Sequence, residues 1–139
     1  MSVMLVRGVR GAITVDENTE EAIVSGTREL LTAMIDANGI EEEYVASVIF
    51  TTTTDLNAAY PAKAARMAGW TYTALMGAVE ADVPGGLELC VRILVHWNTT
   101  KSLEELVHVY MNGAEKLRPD FFYPKNKIIL HTEKENEEL

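Results

Sequence analysis

Hydrophobic residues occupy every second position between residues 86 and 98, which is the pattern of a β-strand. One side of this predicted strand carries Leu87, Leu89, Val91, Ile93, Val95 and Trp97, and the other carries Cys90, Arg92, Leu94 and His96. Because both sides are largely apolar, we expect a central strand that is covered on both faces. Arg92 lies in its middle and cannot lose its charge. It therefore either pairs with a carboxylate of this chain or lines a cavity that receives an anion.

The same reading predicts further strands over residues 5–15, 44–51 and 70–76. A first helix begins at the Asn-x-x-Glu pattern of Asn18 and ends at Asn38-Gly39, and a short second helix spans residues 62–67. Residues 77–86 are expected to form a loop that holds Glu80. A capping box at residues 102–105 predicts a last helix that carries Tyr110 on its buried stripe and ends at Asn112-Gly113.

The predicted order β-α-β-α-β-β-α indicates an α/β (α+β) domain with a mixed sheet and its helices on one face. Two long helices cannot cover both faces of such a sheet, so the second apolar face predicts self-association. Residues 1–124 are expected to form this single domain. Residues 125–139 are expected to be a partly disordered C-terminal tail, in which residues 128–130 dock and residues 133–139 fray. The aromatic run 121–123 before this tail is also expected to dock.

Composition narrows the classes of function. The chain has 139 residues, and its 12 basic and 21 acidic residues give a net charge of -9, which argues against binding to nucleic acid. It contains no apolar run of the roughly 20 residues that a bilayer requires, and its start lacks a cleavage-site pattern, so a cytoplasmic protein is expected. The single Cys90 excludes an internal disulfide.

The residues that remain for chemistry are mostly cations. Neither a glycine-rich phosphate loop nor a histidine pair at metal-ligand spacing is present, so no cofactor and no metal are expected. A set of cations, one carboxylate and one phenol is left: Arg10, Lys63, Arg66, Arg92, Arg118, Glu80 and Tyr110. Each also has an ordinary structural interpretation, as a solvated charge or a core aromatic. Because Arg7 and Arg10 have opposite parity, at most one of them can share a pocket with Arg92. The residues by themselves indicate a small-anion-binding oligomer and no particular reaction.

Six ordered motifs nevertheless resemble one family. They are Arg7-Gly8-Val9-Arg10-Gly11-Ala12-Ile13-Thr14-Val15, Tyr60-Pro61-Ala62-Lys63-Ala64-Ala65-Arg66, Pro84-Gly85-Gly86-Leu87, Cys90-Val91-Arg92-Ile93, His108-Val109-Tyr110 and Leu117-Arg118-Pro119-Asp120. Together they resemble the AroH-class monofunctional chorismate mutases over nearly all of residues 5–120. The resemblance implies a homotrimer whose sheets pack into a pseudo-α/β-barrel core, with active sites between subunits.

The resemblance also implies roles for residues in the rearrangement of chorismate to prephenate. Arg92 would donate to the ether oxygen, Arg10 and Tyr110 would bind the side-chain carboxylate, and Glu80 would accept from the ring hydroxyl. Catalysis would thus rest on Arg92, Glu80 and Arg10. The pocket wall, the entrance and the tail would supply further substrate-binding residues, some from the neighbouring subunit: Tyr60, Ala62, Lys63, Arg66, Leu75, Met76, Gly77, Leu117 and Arg118.

Three departures from the family pattern stand out. Tyr60 takes a position where the family commonly has Phe, Gly77 replaces a small polar residue or cysteine, and the tail beyond Asp120 is long and apolar. Two alternatives stay open: a non-catalytic trimer that binds a small carboxylate, and an imine/enamine deaminase-like enzyme. A carboxylate, a phenol and two separated arginines favour a hydroxylated dicarboxylate such as chorismate.

Overall fold

The computed structural model describes residues 3–117 and 127–130, which form one six-stranded mixed sheet and two helices. The strands are β1 (Leu5–Thr14), β2 (Val45–Thr52), β3 (Ala74–Val79), β4 (Cys90–Thr99), β5 (His108–Met111) and β6 (Lys127–Leu130), and the helices are α1 (Glu20–Asn38) and α2 (Ala62–Met67). The strand order is β3-β2-β4-β1-β5-β6. The central strand β4 runs antiparallel to both of its neighbours, while the three outer pairs are parallel. The predicted mixed α+β sheet is confirmed.

Helix α1 covers one face of the sheet. Thr19 caps its first turn by accepting a hydrogen bond from the backbone of Ala22, and Gly39 ends it in the left-handed conformation. Its buried side chains pack against the alternate residues of the strands that point to this side, among them Val91, Ile93 and Val95. Gly11 allows the close approach, since a methyl group there would collide with the Met34 sulfur. The predicted helix is confirmed, although Thr19 and not Asn18 is its cap.

The opposite face of the sheet, here called the open face, carries Arg92, Leu94 and His96 of β4, all only partly buried. Within the described residues it is covered at one end alone, by the short 3₁₀ segment Asn112–Lys116, whose Ala114 packs in a small second cluster of buried residues. The expectation that both faces of β4 are covered is thus wrong for most of this strand within one chain.

The predicted last helix is wrong. Its capping box is present, but it starts only a single 3₁₀ turn, Leu103–Glu105, after which His108–Met111 forms β5 beside β1. The side chain of Asn38, at the end of α1, exchanges two hydrogen bonds of 2.8 and 2.9 Å with the backbone of Val107. This amide and the free edge of β1 together take up the backbone groups that a helix would have paired internally.

Strand β3 lies further along the chain than its pattern predicts. Trp70 packs in the core and the strand begins at Ala74, so Gly77 pairs within the sheet beside Phe50 instead of starting the loop. Of the predicted tail, Lys127–Leu130 pairs with β5, whereas residues 121–123 and 133–139 lie outside the described residues. Neither described helix is both long and apolar enough to cross a bilayer.

Candidate active site

Four of the predicted site residues meet on the open face. A cavity of about 210 Å³ is lined by Arg10, Glu80, Arg92 and Tyr110 together with neighbouring strand residues. Four different parts of the sheet supply them. Arg10 belongs to β1 and Tyr110 to β5, Arg92 stands between Ala12 and Thr51 in the sheet register, and Glu80 directly follows β3.

Arg92 is only partly neutralised. Its Nε lies 3.7 Å from Oε2 of Glu80, which is an ion-pair distance but too long for a hydrogen bond. Within the described part of the chain, this buried Nε has no hydrogen-bond partner. The side chains of Arg92 and Glu80 retain 32% and 26% of their exposure. Both arrangements that the sequence leaves open therefore occur together, because Arg92 faces a carboxylate and also lines a cavity.

Glu80 is oriented by strand β2. Its backbone N–H donates to the carbonyl of Thr52 at 2.8 Å, which continues the pairing of β3 beyond its last residue. Its Oε2 accepts a hydrogen bond from the hydroxyl of Thr51. The carboxylate is therefore held by a neutral donor of the neighbouring strand and forms no hydrogen bond with Nε of Arg92.

Arg10 is tied to β5 through its backbone. Its N–H donates to Nδ1 of His108 at 3.0 Å, so this ring nitrogen carries no proton. Burial, and next the positive charge of Arg10, lower the pKa of His108. The described part of the chain contains two ion pairs, Lys63 with Glu20 and Arg92 with Glu80. The guanidinium of Arg10 therefore has no carboxylate partner among the described residues. Arg7 points elsewhere and donates to the Lys101 carbonyl at 3.2 Å, which confirms that only one of the two arginines shares the pocket.

The floor beside Tyr110 is apolar. Tyr110 is 1% exposed and clusters with Ala12, Cys90 and Ala114, and Leu117 packs against this cluster half-buried. Burial raises the pKa of the Cys90 thiol to about 11, against the smaller opposing effect of Arg92. A thiol with this pKa stays protonated near neutral pH, so Cys90 is a packing residue and not a nucleophile.

Two of the other predicted cations, Lys63 and Arg66, line a second cavity of about 660 Å³. It is lined by Tyr60, Lys63, Arg66 and Gly77, and it shares no lining residue with the cavity at Arg92. Lys63 is paired with Glu20 of α1, and Tyr60 is 80% exposed. Within one chain, the structure thus separates the predicted site residues into two groups.

The remaining predicted residues that the structure describes line neither cavity. Ala62 is buried in the core, and Leu75 packs against that core from β3. Met76 is 66% exposed, in register with Ile49 on the open face. Arg118 lies outside the described residues. Among the residues described, no three histidine, cysteine, aspartate or glutamate side chains are grouped so that they could hold a metal ion.

Two polar residues near these cavities were not predicted from the sequence. Thr51 is one, and its only sequence signal is its place in a run of threonines at a strand end. Asn18 is the other. Its amide accepts hydrogen bonds of 3.0 Å from the backbone of Asn57 and of Ala58, and donates to the Asn57 side chain at 2.8 Å. It thereby fixes the loop that leads to Tyr60.

Fold and site together describe an α+β protein whose open sheet face presents two arginines around a cavity, an arrangement suited to a small anion. The family profile of chorismate mutase type I matches residues 6–121. A chorismate mutase of Thermus thermophilus is 51% identical over 117 residues, which cover 84% of this chain and 96% of that protein. A chorismate mutase of Bacillus subtilis is 40% identical over 124 residues, covering 88% and 98%. A solved chorismate mutase from Clostridium thermocellum is 53% identical, with a TM-score of 0.79 and coverage of 81% of this chain and all of its own.

The chain belongs to the chorismate mutase type I family, and it is accordingly an isomerase of aromatic amino acid biosynthesis. The resemblance found in the sequence motifs is confirmed. None of these similarities favours the non-catalytic binding protein or the deaminase-like enzyme.

Proposed function

We propose that this chain converts chorismate to prephenate in the cavity lined by Arg10, Glu80, Arg92 and Tyr110. The observation that carries the proposal is the buried Nε of Arg92, which has no hydrogen-bond partner among the described residues although it faces a cavity. A buried donor of this kind is costly unless a ligand satisfies it. The ether oxygen of chorismate is an acceptor of the required kind.

The reaction needs no nucleophile from the protein. In this intramolecular rearrangement the C–O bond of the ether breaks while a C–C bond forms within the same molecule, so no proton is transferred and no covalent intermediate arises. The protein must hold the folded conformer and stabilise the negative charge that grows on the ether oxygen. In our proposal Arg92 donates to that oxygen, and the protonated thiol of Cys90 takes no part in the chemistry.

The other three residues orient the substrate. Arg10, without a carboxylate partner in the described part of the chain, binds the side-chain carboxylate together with Tyr110. Glu80, already placed by Thr51, accepts from the ring hydroxyl. A dianion approaches a chain of net charge -9 only if local cations outweigh the overall field, and two arginines beside one carboxylate provide that excess.

We further propose that the active enzyme is a homotrimer, in which Tyr60, Lys63 and Arg66 of one protomer complete the pocket of the next. Two features support this arrangement. The two groups of predicted residues line separate cavities within one chain. The edge strand β3 also exposes apolar side chains, with Met76 on the open face and Val79 in the second cavity each 66% exposed. The single buried thiol suits the reducing cytoplasm, where we place the enzyme.

The activity is tested by adding the purified protein to chorismate and following the loss of chorismate absorbance, with prephenate identified by NMR. Stable chorismate in the presence of folded protein would refute the proposal.

The shared site is tested by mixing two inactive variants, Arg92→Ala and Arg66→Ala, after dissociation. Random reassembly should restore about a quarter of the sites, because each restored site takes one intact half from each of two protomers. A mixture that stays inactive would contradict the shared site.

A further inference from the structure

Thr51 and Arg92 both face the carboxylate of Glu80, but only Thr51 forms a hydrogen bond with it. Thr51 lies on β2, directly beside Arg92 in the sheet register, and lines the same cavity. Its hydroxyl donates to Oε2 of Glu80. That same oxygen stays 3.7 Å from Nε of Arg92. A guanidinium and a carboxylate in direct contact approach to about 2.7–2.9 Å, so the two charges stop about 1 Å short of a full salt bridge.

From this geometry we infer that Thr51 is a positioning residue that holds the carboxylate of Glu80 away from Arg92 and so keeps the guanidinium available to the substrate. The inference rests on the proposed function and adds a residue to it. The hydroxyl supplies Oε2 with a donor that carries no charge. The carboxylate is therefore satisfied without neutralising the cation that the transition state needs.

Removal of the hydroxyl should let the pair close. Oε2 would lose its donor in a partly buried site, and Arg92 Nε is the charged donor next to it. A shift of about 1 Å would then satisfy both groups at once. Chorismate would have to break this salt bridge in order to bind, and Arg92 would be directed toward Glu80 during the reaction. The Michaelis constant should therefore rise, and the turnover number should fall.

The experiment compares Thr51→Val and Thr51→Ser in two backgrounds, the natural chain and Glu80→Gln. In the natural chain, Thr51→Val should lower kcat/KM by about tenfold to a hundredfold, the range for losing a hydrogen bond to a charged group. Thr51→Ser keeps the hydroxyl and should stay within about threefold of the parent. In the Glu80→Gln background, a neutral amide cannot neutralise Arg92, so Thr51→Val should change kcat/KM by less than about threefold.

A purely structural role for Thr51 predicts a different result, because a packing defect would lower activity by the same factor in both backgrounds. Equal losses in the two backgrounds would overturn the inference. Ser47→Ala is the matched control: this residue lies on the same strand and face, and its hydroxyl contacts His96 at 2.9 Å, away from the cavity. Its kcat/KM should equal that of the parent. If Thr51→Val folds poorly, Thr51→Ala removes the same hydroxyl without adding a methyl group near the carboxylate.

The outcome also separates this inference from the proposed function. Impaired Glu80→Gln with fully active Thr51→Val would overturn the role of Thr51 and leave the proposed role of Glu80 intact. Full activity of Glu80→Gln would overturn both. A crystal structure of Thr51→Val supplies a direct readout, in which an Arg92 to Glu80 distance near 2.8 Å is expected. An unchanged distance of 3.7 Å would contradict the inference.

Discussion

Replacement of Arg92 by lysine tests the proposed mechanism most directly. Lysine keeps the positive charge but ends in a single ammonium group, and it lacks both the Nε donor and the planar fork of the guanidinium. In the structure Nε is the atom that lies 3.7 Å from Glu80 and has no hydrogen-bond partner among the described residues. Arg92→Lys therefore removes a donor that is free to act on the substrate.

The size of the effect follows from the position of this donor. A preorganised hydrogen-bond donor aimed at developing charge typically contributes about 10² to 10³ in turnover number, or about 2.7–4 kcal/mol of barrier. Arg92 is two-thirds withdrawn from solvent, so water cannot easily replace the lost donor. We therefore expect Arg92→Lys to lower kcat by at least about 10²-fold. Thermal stability should stay close to that of the parent, because Nε makes no hydrogen bond to a described residue.

The assay measures kcat and KM from the loss of chorismate absorbance, with circular dichroism and thermal unfolding to check the fold. Arg7→Lys is the matched control. It makes the same change on the adjacent strand, but Arg7 donates to the Lys101 carbonyl and does not line the cavity. Its turnover should be unaffected. Near-normal turnover of Arg92→Lys would refute the role assigned to Arg92, and so would an equal loss in Arg7→Lys.

Two further predictions concern residues that support the site. Asn18→Ala removes three hydrogen bonds to the loop before Tyr60 and should raise the KM for chorismate roughly fivefold at nearly constant kcat. Asn18→Asp keeps both acceptor contacts and should raise KM by a smaller factor. An unchanged KM in Asn18→Ala would contradict this prediction. The pKa of His108 is lowered by burial from its ordinary 6.5, so below this pH the unfolded chain takes up a proton that the folded chain does not. The free energy of unfolding should be steady just above pH 6.5 and fall as the pH drops below it. In urea titrations at pH 7.5 and 5.5, the difference in this free energy between the two pH values should be smaller for His108→Asn than for the parent. Equal differences in both proteins would exclude this histidine as the cause.

The local sequence pattern predicted the elements whose conformation depends mainly on their own residues. The alternation that ends at Trp97 correctly predicted the central strand, and the stripe of apolar residues with Gly39 at its end correctly predicted α1. Tyr110 shows where this fails. The spacing of Leu103, Leu106 and Tyr110 fits a helix face, yet the free edge of β1 accepts a strand there. That edge, and the Asn38 amide that pairs with Val107, lie far away in the sequence, so no local pattern contains them.

In the candidate site, too, local pattern identified some residues, whereas contacts between distant parts of the chain determine the others. Arg92 stands out because a charge inside an apolar strand demands an explanation, and the parity of Arg10 shows that Arg7 cannot join it. The grouping of these residues with Glu80 came from the family resemblance and not from spacing. Thr51 was missed because the role we propose for it depends on a carboxylate 29 residues further along the chain, which the pairing of β2 with β3 brings near.

The four residues around the cavity come from β1, from the end of β3, and from β4 and β5, so the pocket exists only when these strands have assembled with β2, which joins β3 to β4. The backbone of Arg10 and the ring of His108, which join across one such pairing, are 98 residues apart. Contacts of this sequence separation form late, since the chain must close large loops before they yield any stabilisation. No hairpin or short fragment brings the four residues together. During refolding from denaturant, chorismate turnover must therefore lag behind the return of secondary structure.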